Sequence, residues 1–211
     1  MQEKFVVEEF FQNLPKGRFL EIGANDGVPQ TNDEPVWGLK EKGWAGVYVE
    51  PNPGSCANLI RNIGPNRPDI QIVNAAITKE SGLKTFYSVT AKSGSTGTSS
   101  FRKHWLPLLP EELQNRVAFI KPIIIYTVTF DQLLDQVGTD FDFVTIDVEN
   151  LPQENDEFIQ SIDFGRLEKC KMIMIECLTE SSIEYMKKFG YSLYHSQNYK
   201  HSHFNYFFVR D

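Results

Sequence analysis

The stretch Arg18-Phe19-Leu20-Glu21-Ile22-Gly23-Ala24-Asn25-Asp26-Gly27 decides the fold. Phe19, Leu20 and Ile22 form a short apolar run that stops in a glycine-rich turn, the pattern of a buried parallel strand delivering its carboxyl end to a ligand site. Gly23 and Gly27 stand four apart, and the missing Cβ lets the backbone turn tightly and approach a bound molecule. Glu21 and Asp26 select that molecule. A phosphate cradle collects backbone N–H groups and usually a Lys or Arg, whereas carboxylates at the turn repel a pyrophosphate. This turn suits a cationic ligand.

The next apolar run, AGVYVE over residues 45–50, supplies the matching piece by ending in Glu50. In a doubly wound sheet that acid lies beside the first turn and accepts hydrogen bonds from both hydroxyls of a ribose. An E-x-G-x-x-x-G turn followed by a ribose acid resembles the S-adenosylmethionine site of class I methyltransferases. A generic α/β strand ending in glycine, with Glu50 merely on the surface, is the alternative; an acid at this position favours the first reading.

A chain of 211 residues is long enough for one α/β domain, and no Pro/Ser linker or charge run divides it. With 21 basic and 28 acidic residues the formal net charge is −7, which argues against nucleic acid and anionic lipid as partners and for a small or neutral substrate. The beginning, MQEKFVVEEFF, has acids where a signal peptide has bases, and no apolar run approaches transmembrane length. A cytoplasmic protein is expected. Cys56, Cys170 and Cys177 are too scattered for a disulfide frame or a metal knuckle and suit core positions as thiols.

Outward from the centre, Phe5, Val6, Phe10, Phe11 and Leu14 recur at helical spacing with Glu3, Glu8 and Glu9 opposite, predicting a helix over the sheet edge. A second helix is capped by Asn32 or Asp33, carries Pro35 in its first turn and ends at Gly43. Pro51-Asn52-Pro53 turns into a third helix. The third strand covers 70–75, and the small Asn74, Ala75 and Ala76 at its end leave room for an adenine, close packing being the alternative. Alternation of strand and helix breaks at 84–128, where 83–89 and 123–128 look like extra strands. Between them, 93–100 holds only Gly, Ser and Thr, a lid or a passive loop, followed by Phe101, His104 and Trp105. Thr129 to Gln132 has capping-box spacing. The strand at 141–148 brings Asp147 and Glu149 to one face at its carboxyl end, in the crevice where open α/β sheets bind ligands. A fifth strand at 171–177, a helix with a second capping box from Ser181 to Glu184, and two terminal strands at 191–195 and 204–209 complete the chain.

The expected architecture is α/β: a doubly wound, Rossmann-like, seven-stranded, mainly parallel sheet with a C-terminal antiparallel hairpin, in one domain with an insertion at about 84–128. The pieces FLEIGANDG, VYVEPNP, IVNAAI, GSTGTSS, VTFDQLL and DFVTIDVEN, in this order, resemble the FkbM family of class I S-adenosylmethionine-dependent methyltransferases. The resemblance implies methyl transfer, commonly to a hydroxyl of a sugar or natural-product scaffold and less often to nitrogen. One departure is plain. Where such proteins typically read IDVEGAE, this chain has Ile146-Asp147-Val148-Glu149-Asn150-Leu151-Pro152.

These readings assign S-adenosyl-L-methionine to Glu21, Gly23, Asn25, Asp26, Gly27, Glu50, Pro51, Asn74, Ala75, Ala76 and Asp147. Glu21 and the 23–27 backbone hold the methionine end, Glu50 the ribose, and Asp147 lies near the transferred methyl. Candidate bases are Asp147, Glu149 and His104, the last having an ordinary pKa suited to neutral pH. No metal is assigned, although Asp147 with Glu149, or His201 with His203 near His195, would be the places for one. A homodimer contact would fall in 84–128. The competing classes are an amine or peptide N-methyltransferase, a nicotinamide-dependent oxidoreductase, disfavoured by the absence of G-x-G-x-x-G, and an inactive methyltransferase-like binding module.

Overall fold

Two sheets of different kinds carry the chain. The computed structural model describes residues 3–28, 35–92, 99–101, 111–115, 117–148, 152–198 and 204–210. In chain order these form α1 (Glu3–Phe10), β1 (Arg18–Ile22), α2 (Trp37–Glu41), β2 (Ala45–Val49), α3 (Pro53–Ile63), β3 (Ile70–Val73), β4 (Ala76–Ile77), β5 (Gly82–Ala91) and α4 (Glu111–Gln114). There follow β6 (Val117–Val128), α5 (Phe130–Val137), β7 (Phe143–Ile146), α6 (Pro152–Ile159), β8 (Met172–Glu176), α7 (Glu180–Lys187), β9 (Ser192–Asn198) and β10 (Phe204–Val209).

The large sheet has the order β3-β2-β1-β7-β8-β10-β9. Its first five strands are parallel, and β10 pairs antiparallel with both β8 and β9. This is the expected seven-stranded sheet with its terminal hairpin. Chain order reverses beside β1, whose Ile22 is in register with Val49 of β2 and Ile146 of β7. A crevice therefore opens where the carboxyl ends of these three strands diverge, the ligand position of doubly wound sheets.

Side-chain alternation divides the core into two layers. Leu20 and Ile22 pack with Val47, Val144, Phe130, Leu134 and Phe158 under α5 and α6. Phe19 packs on the other face with Tyr48, Phe143, Val7, Leu39 and Leu59 under α1, α2 and α3. All four residues of β7 are buried, as in a strand covered on both faces.

Several boundaries differ from the sequence expectation. Helix α1 covers the sheet edge and reaches inward from it: the Phe10 ring lies 5.7 Å from Tyr194 of the edge strand β9, and Phe11, just after the helix, lies 5.0 Å from Trp44 and 5.9 Å from Phe143, centroid to centroid. Phe5 is exposed and Glu3 buried, the reverse of the expected faces; Glu3 accepts a hydrogen bond from the Asn205 amide. The third strand stops at Val73, and Ala76–Ile77 pairs instead with β6 in a second sheet of order β4-β6-β5. The expected strand at 141–148 ends at Ile146, so the alternation that would set Asp147 and Glu149 on one face does not extend to them. Helix α7 is capped by Thr179 and not by Ser181, because the Asp156 carboxylate accepts from the Thr179 N–H at 3.1 Å and the Ser181 hydroxyl at 2.9 Å.

The region expected as an insertion supplies two of the three strands of the second sheet. Strands β5 and β6 pair antiparallel along ten residues of β5, with Ala76, Phe86 and Ile125 buried beneath them. Their outer face leaves Leu83, Ile124 and Tyr126 exposed. The Thr129–Gln132 capping box forms with both reciprocal bonds, at 3.1 and 3.0 Å. Among the described residues no helix is long and apolar enough to cross a membrane.

Candidate active site

A cavity of about 600 Å³ lies at the carboxyl ends of β1, β2 and β7. Gly23 and Asn25 from the first turn, Glu50 and Pro51 after β2, and Asp147 and Val148 after β7 form its floor; Ala75, Ala76 and Ile77 form one side. Lys84, Thr85 and Phe86 of β5, with Ser99, Ser100 and Phe101, close it from the insertion, and Glu154, Glu157 and Phe158 of α6 complete the wall. The volume is within the ordinary range of small-molecule sites.

Glu50 is only 7% exposed. Its Oε2 accepts from the Asn25 N–H at 2.8 Å and its Oε1 from the Asn52 N–H at 2.7 Å. Burial raises its pKa to about 7, outweighing both backbone bonds, and Asp26 adds to the rise. Each carboxylate oxygen can accept a second hydrogen bond, so this group is oriented by the backbone and still able to receive a ligand's hydroxyls. Asn25 makes the turn possible by adopting φ 48°, a left-handed conformation that Asn tolerates better than most residues, with its Oδ1 accepting from the Ser55 hydroxyl at 3.1 Å.

The two glycines serve the protein more than the ligand. At Gly23, with φ 95°, a Cβ would lie 1.8 Å from the Asp147 carbonyl oxygen. This close approach lets the Asp147 N–H donate to the Ile22 carbonyl at 2.9 Å, placing Asp147 beside the first turn. At Gly27 a Cβ would lie 2.5 Å from Leu59 of α3. Asp147 itself is exposed and lines the cavity.

Of the expected cofactor residues, Gly23, Asn25, Glu50, Pro51, Ala75, Ala76 and Asp147 come together around the cavity. Glu21 does not line it: in β1 it is buried beside Tyr48 and Thr145 on the α1 side of the sheet. Asp26 accepts from the Val28 N–H at 3.2 Å, and its carbonyl from the Asn62 amide at 2.8 Å. Asn74 lies outside the cavity too, but its amide donates to the Glu50 carbonyl at 2.7 Å and the Pro51 carbonyl at 3.3 Å, holding that turn. Glu149, His104, His201 and His203 lie outside the described residues.

Sequence reasoning missed Asn52, Phe86 and the acids of α6; Ser99 and Ser100 end the 93–100 segment expected as a lid or a passive loop, of which 93–98 lie outside the described residues. Asn before Pro53 and Gly54 is a helix-cap signature that was available; the convergence of β5 and α6 on the cavity is purely tertiary. Phe86 and Phe101 meet edge to face at 5.1 Å, and with Ile77 and Phe158 they are the large apolar side chains lining the cavity beside Glu50 and Asp147. Lys79 pairs with Glu157 at 3.3 Å on the rim. The 23–27 turn has no basic residue. A ligand combining hydroxyls, a cationic end and a flat apolar ring matches these surfaces, and a pyrophosphate does not. Among the described residues no three His, Cys, Asp or Glu side chains gather as metal ligands.

The fold recurs in solved structures of low sequence identity. Magnesium protoporphyrin IX methyltransferase from Synechocystis, solved with bound S-adenosylmethionine, superposes with a TM-score of 0.52 at 10% identity, covering 99% of this chain and 78% of that one. The Escherichia coli protein yhhF, assigned as a methyltransferase, gives 0.50 at 10% identity, covering 99% and 86%. No curated protein matches the sequence. The sequence model of the methyltransferase FkbM domain matches residues 21–193, from the acid of β1 into β9. That span takes in the glycine turn, Glu50, the insertion and Asp147, and the chain belongs to the FkbM family of methyltransferases.

Proposed function

We propose that the protein is an S-adenosylmethionine-dependent O-methyltransferase acting on a hydroxyl of a small molecule, a sugar or natural-product scaffold. The observation that carries this reading is Glu50: a buried carboxylate, oriented by two backbone N–H groups, with acceptor capacity turned to a cavity that also contains Asp147. Glu50 holds the ribose, the 23–25 turn and Asp147 bound the methionine end, and Ala75, Ala76 and Ile77 leave room for the adenine. When bound, the cofactor supplies an activated methyl group.

The chain's own contribution is alignment and proton removal. Residues 84–86 and 99–101 wall the cavity from the insertion side and exclude water from the acceptor. A neutral hydroxyl must lose a proton as it is methylated, and the base in this reading is Asp147, a carboxylate lining the cavity. Glu154 and Glu157 border the acceptor side, and Lys79 pairs with Glu157 there. A net charge of −7 favours a neutral acceptor over a polyanion.

The test is release of S-adenosylhomocysteine during incubation with S-adenosylmethionine and a panel of hydroxylated sugars and phenols, with amines in parallel. Turnover on hydroxyl compounds is expected. In Asp147→Asn it should fall by roughly 10²–10⁴-fold, the usual contribution of a general base. Turnover on amines alone would overturn the O-methylation reading.

A further inference from the structure

Asn52 is 3% exposed, and all of its hydrogen-bonding groups are engaged. Its backbone N–H donates to Glu50 Oε1 at 2.7 Å, and its carbonyl accepts from the Cys56 N–H at 2.8 Å. Oδ1 accepts from the N–H groups of Gly54 and Ser55, at 2.9 and 3.4 Å, as the N-cap of α3. Nδ2 spends its two protons on the hydroxyls of Ser88 in β5, at 2.8 Å, and Ser99, at 3.2 Å. The orientation of the amide is fixed by these partners, because only the oxygen can face the two helix N–H groups.

A cap needs only the oxygen, and serine would supply it. The two Nδ2 bonds are surplus to capping, and both run to the insertion. Ser99 also accepts from the Val89 N–H at 3.0 Å, and Ser100 exchanges both backbone bonds with Tyr87, at 2.7 and 3.2 Å. Asn52 therefore reaches the segment 99–101 both directly and through β5. One residue joins the acid on the floor of the cavity to the wall opposite it.

We propose that Asn52 is a positioning residue that couples Glu50 to the 99–101 wall, so that cofactor and acceptor strengthen each other's binding. The inference rests on Glu50 being the cofactor's ribose acid. A ligand that immobilises Glu50 immobilises the Asn52 backbone and, through Nδ2, the wall that the acceptor must meet. Linkage makes the effect reciprocal: an occupant that orders the wall raises cofactor affinity by the same factor.

The test is amide hydrogen exchange on the full chain, free and saturated with S-adenosylhomocysteine, in wild type, Asn52→Ser and Ser88→Ala. In wild type the ligand should slow exchange at 87–89 and 99–101. Asn52→Ser keeps the α3 cap but is too short to reach Ser88 and Ser99: α3 should stay protected, 99–101 should exchange faster even in the free chain, the ligand-induced slowing there should vanish, and affinity should fall about fivefold or more, the low end of typical coupling. Ser88→Ala leaves Asn52 and its cap untouched, removes one of the two bonds and should give an intermediate loss. Ligand-induced slowing at 99–101 that is unchanged in both variants overturns the coupling while leaving the cofactor reading intact. Failure of wild type to bind S-adenosylhomocysteine overturns both.

Discussion

Glu50 shows most directly how a single side chain sets the behaviour of the site. Burial lifts its pKa from 4.5 to about 7, so the folded chain holds this proton more tightly than the unfolded chain does. Its contribution to stability is present in full below about pH 4.5 and is lost as pH rises through about 7, a change on the order of 3 kcal/mol. Cofactor affinity runs the opposite way, rising through about pH 7, since the ionised form is the better acceptor for ribose hydroxyls. Denaturant unfolding at pH 5 and pH 8 should show a larger loss of stability in wild type than in Glu50→Gln, and equal losses would contradict the assignment. Gly23 makes a sharper prediction. A methyl group there meets the Asp147 carbonyl at 1.8 Å from a backbone with φ 95°, so Gly23→Ala should cost about 3 kcal/mol or more, measured as a lower denaturation midpoint. The sequence showed that glycine was needed here, but not that the neighbour requiring it is the strand end at Asp147 and not a ligand.

Among elements, those whose signals are local were legible and those set by tertiary partners were not. The box from Thr129 to Gln132 was readable because both bonds lie within four residues, and α5 begins there. Thr129→Ala should cost about 1 kcal/mol, a drop of about 2–4 °C in Tm at this chain length, with cofactor affinity unchanged. A larger loss of affinity than of stability would place α5 in the site. The cap of α7 was misplaced by two residues, because Asp156, on a different helix, decides it. Strand β3 is shorter than the expected 70–75 for a similar reason: Asn74 spends its amide on the Glu50 and Pro51 carbonyls, and Ala76–Ile77 beyond it pairs with β6. The central strands were legible as mainly apolar runs because both of their faces are covered, with Glu21 in β1 and Thr145 in β7 as buried polar exceptions.

At the scale of the molecule, the sheet order puts three strand ends beside one another, and the insertion supplies the fourth wall. The first fact followed from the glycine turn and Glu50 in the sequence. The second followed only in part: the Gly/Ser/Thr run ending at Ser100 left a lid and a passive loop both open, because β5 and Ser99–Ser100–Phe101 reach the cavity through pairings more than ten residues apart along the chain. A cavity assembled this way should lose its acceptor function before its cofactor function when the insertion is damaged. Phe101→Ala, which removes one ring of the edge-to-face pair with Phe86, should raise the KM for the acceptor severalfold while changing S-adenosylhomocysteine affinity little; the reverse pattern would put the adenine on this wall.

Whether the Glu50 cavity binds the methyl donor is decided by calorimetric titration of wild type and Glu50→Ala with S-adenosylmethionine and S-adenosylhomocysteine, with NAD as control. Wild type should bind the first two with micromolar affinity and not bind NAD, and Glu50→Ala should lose roughly tenfold to a hundredfold, the usual worth of hydrogen bonds to a charged group. Equal affinity in the two proteins, or binding of NAD in place of the methyl donor, would contradict this reading.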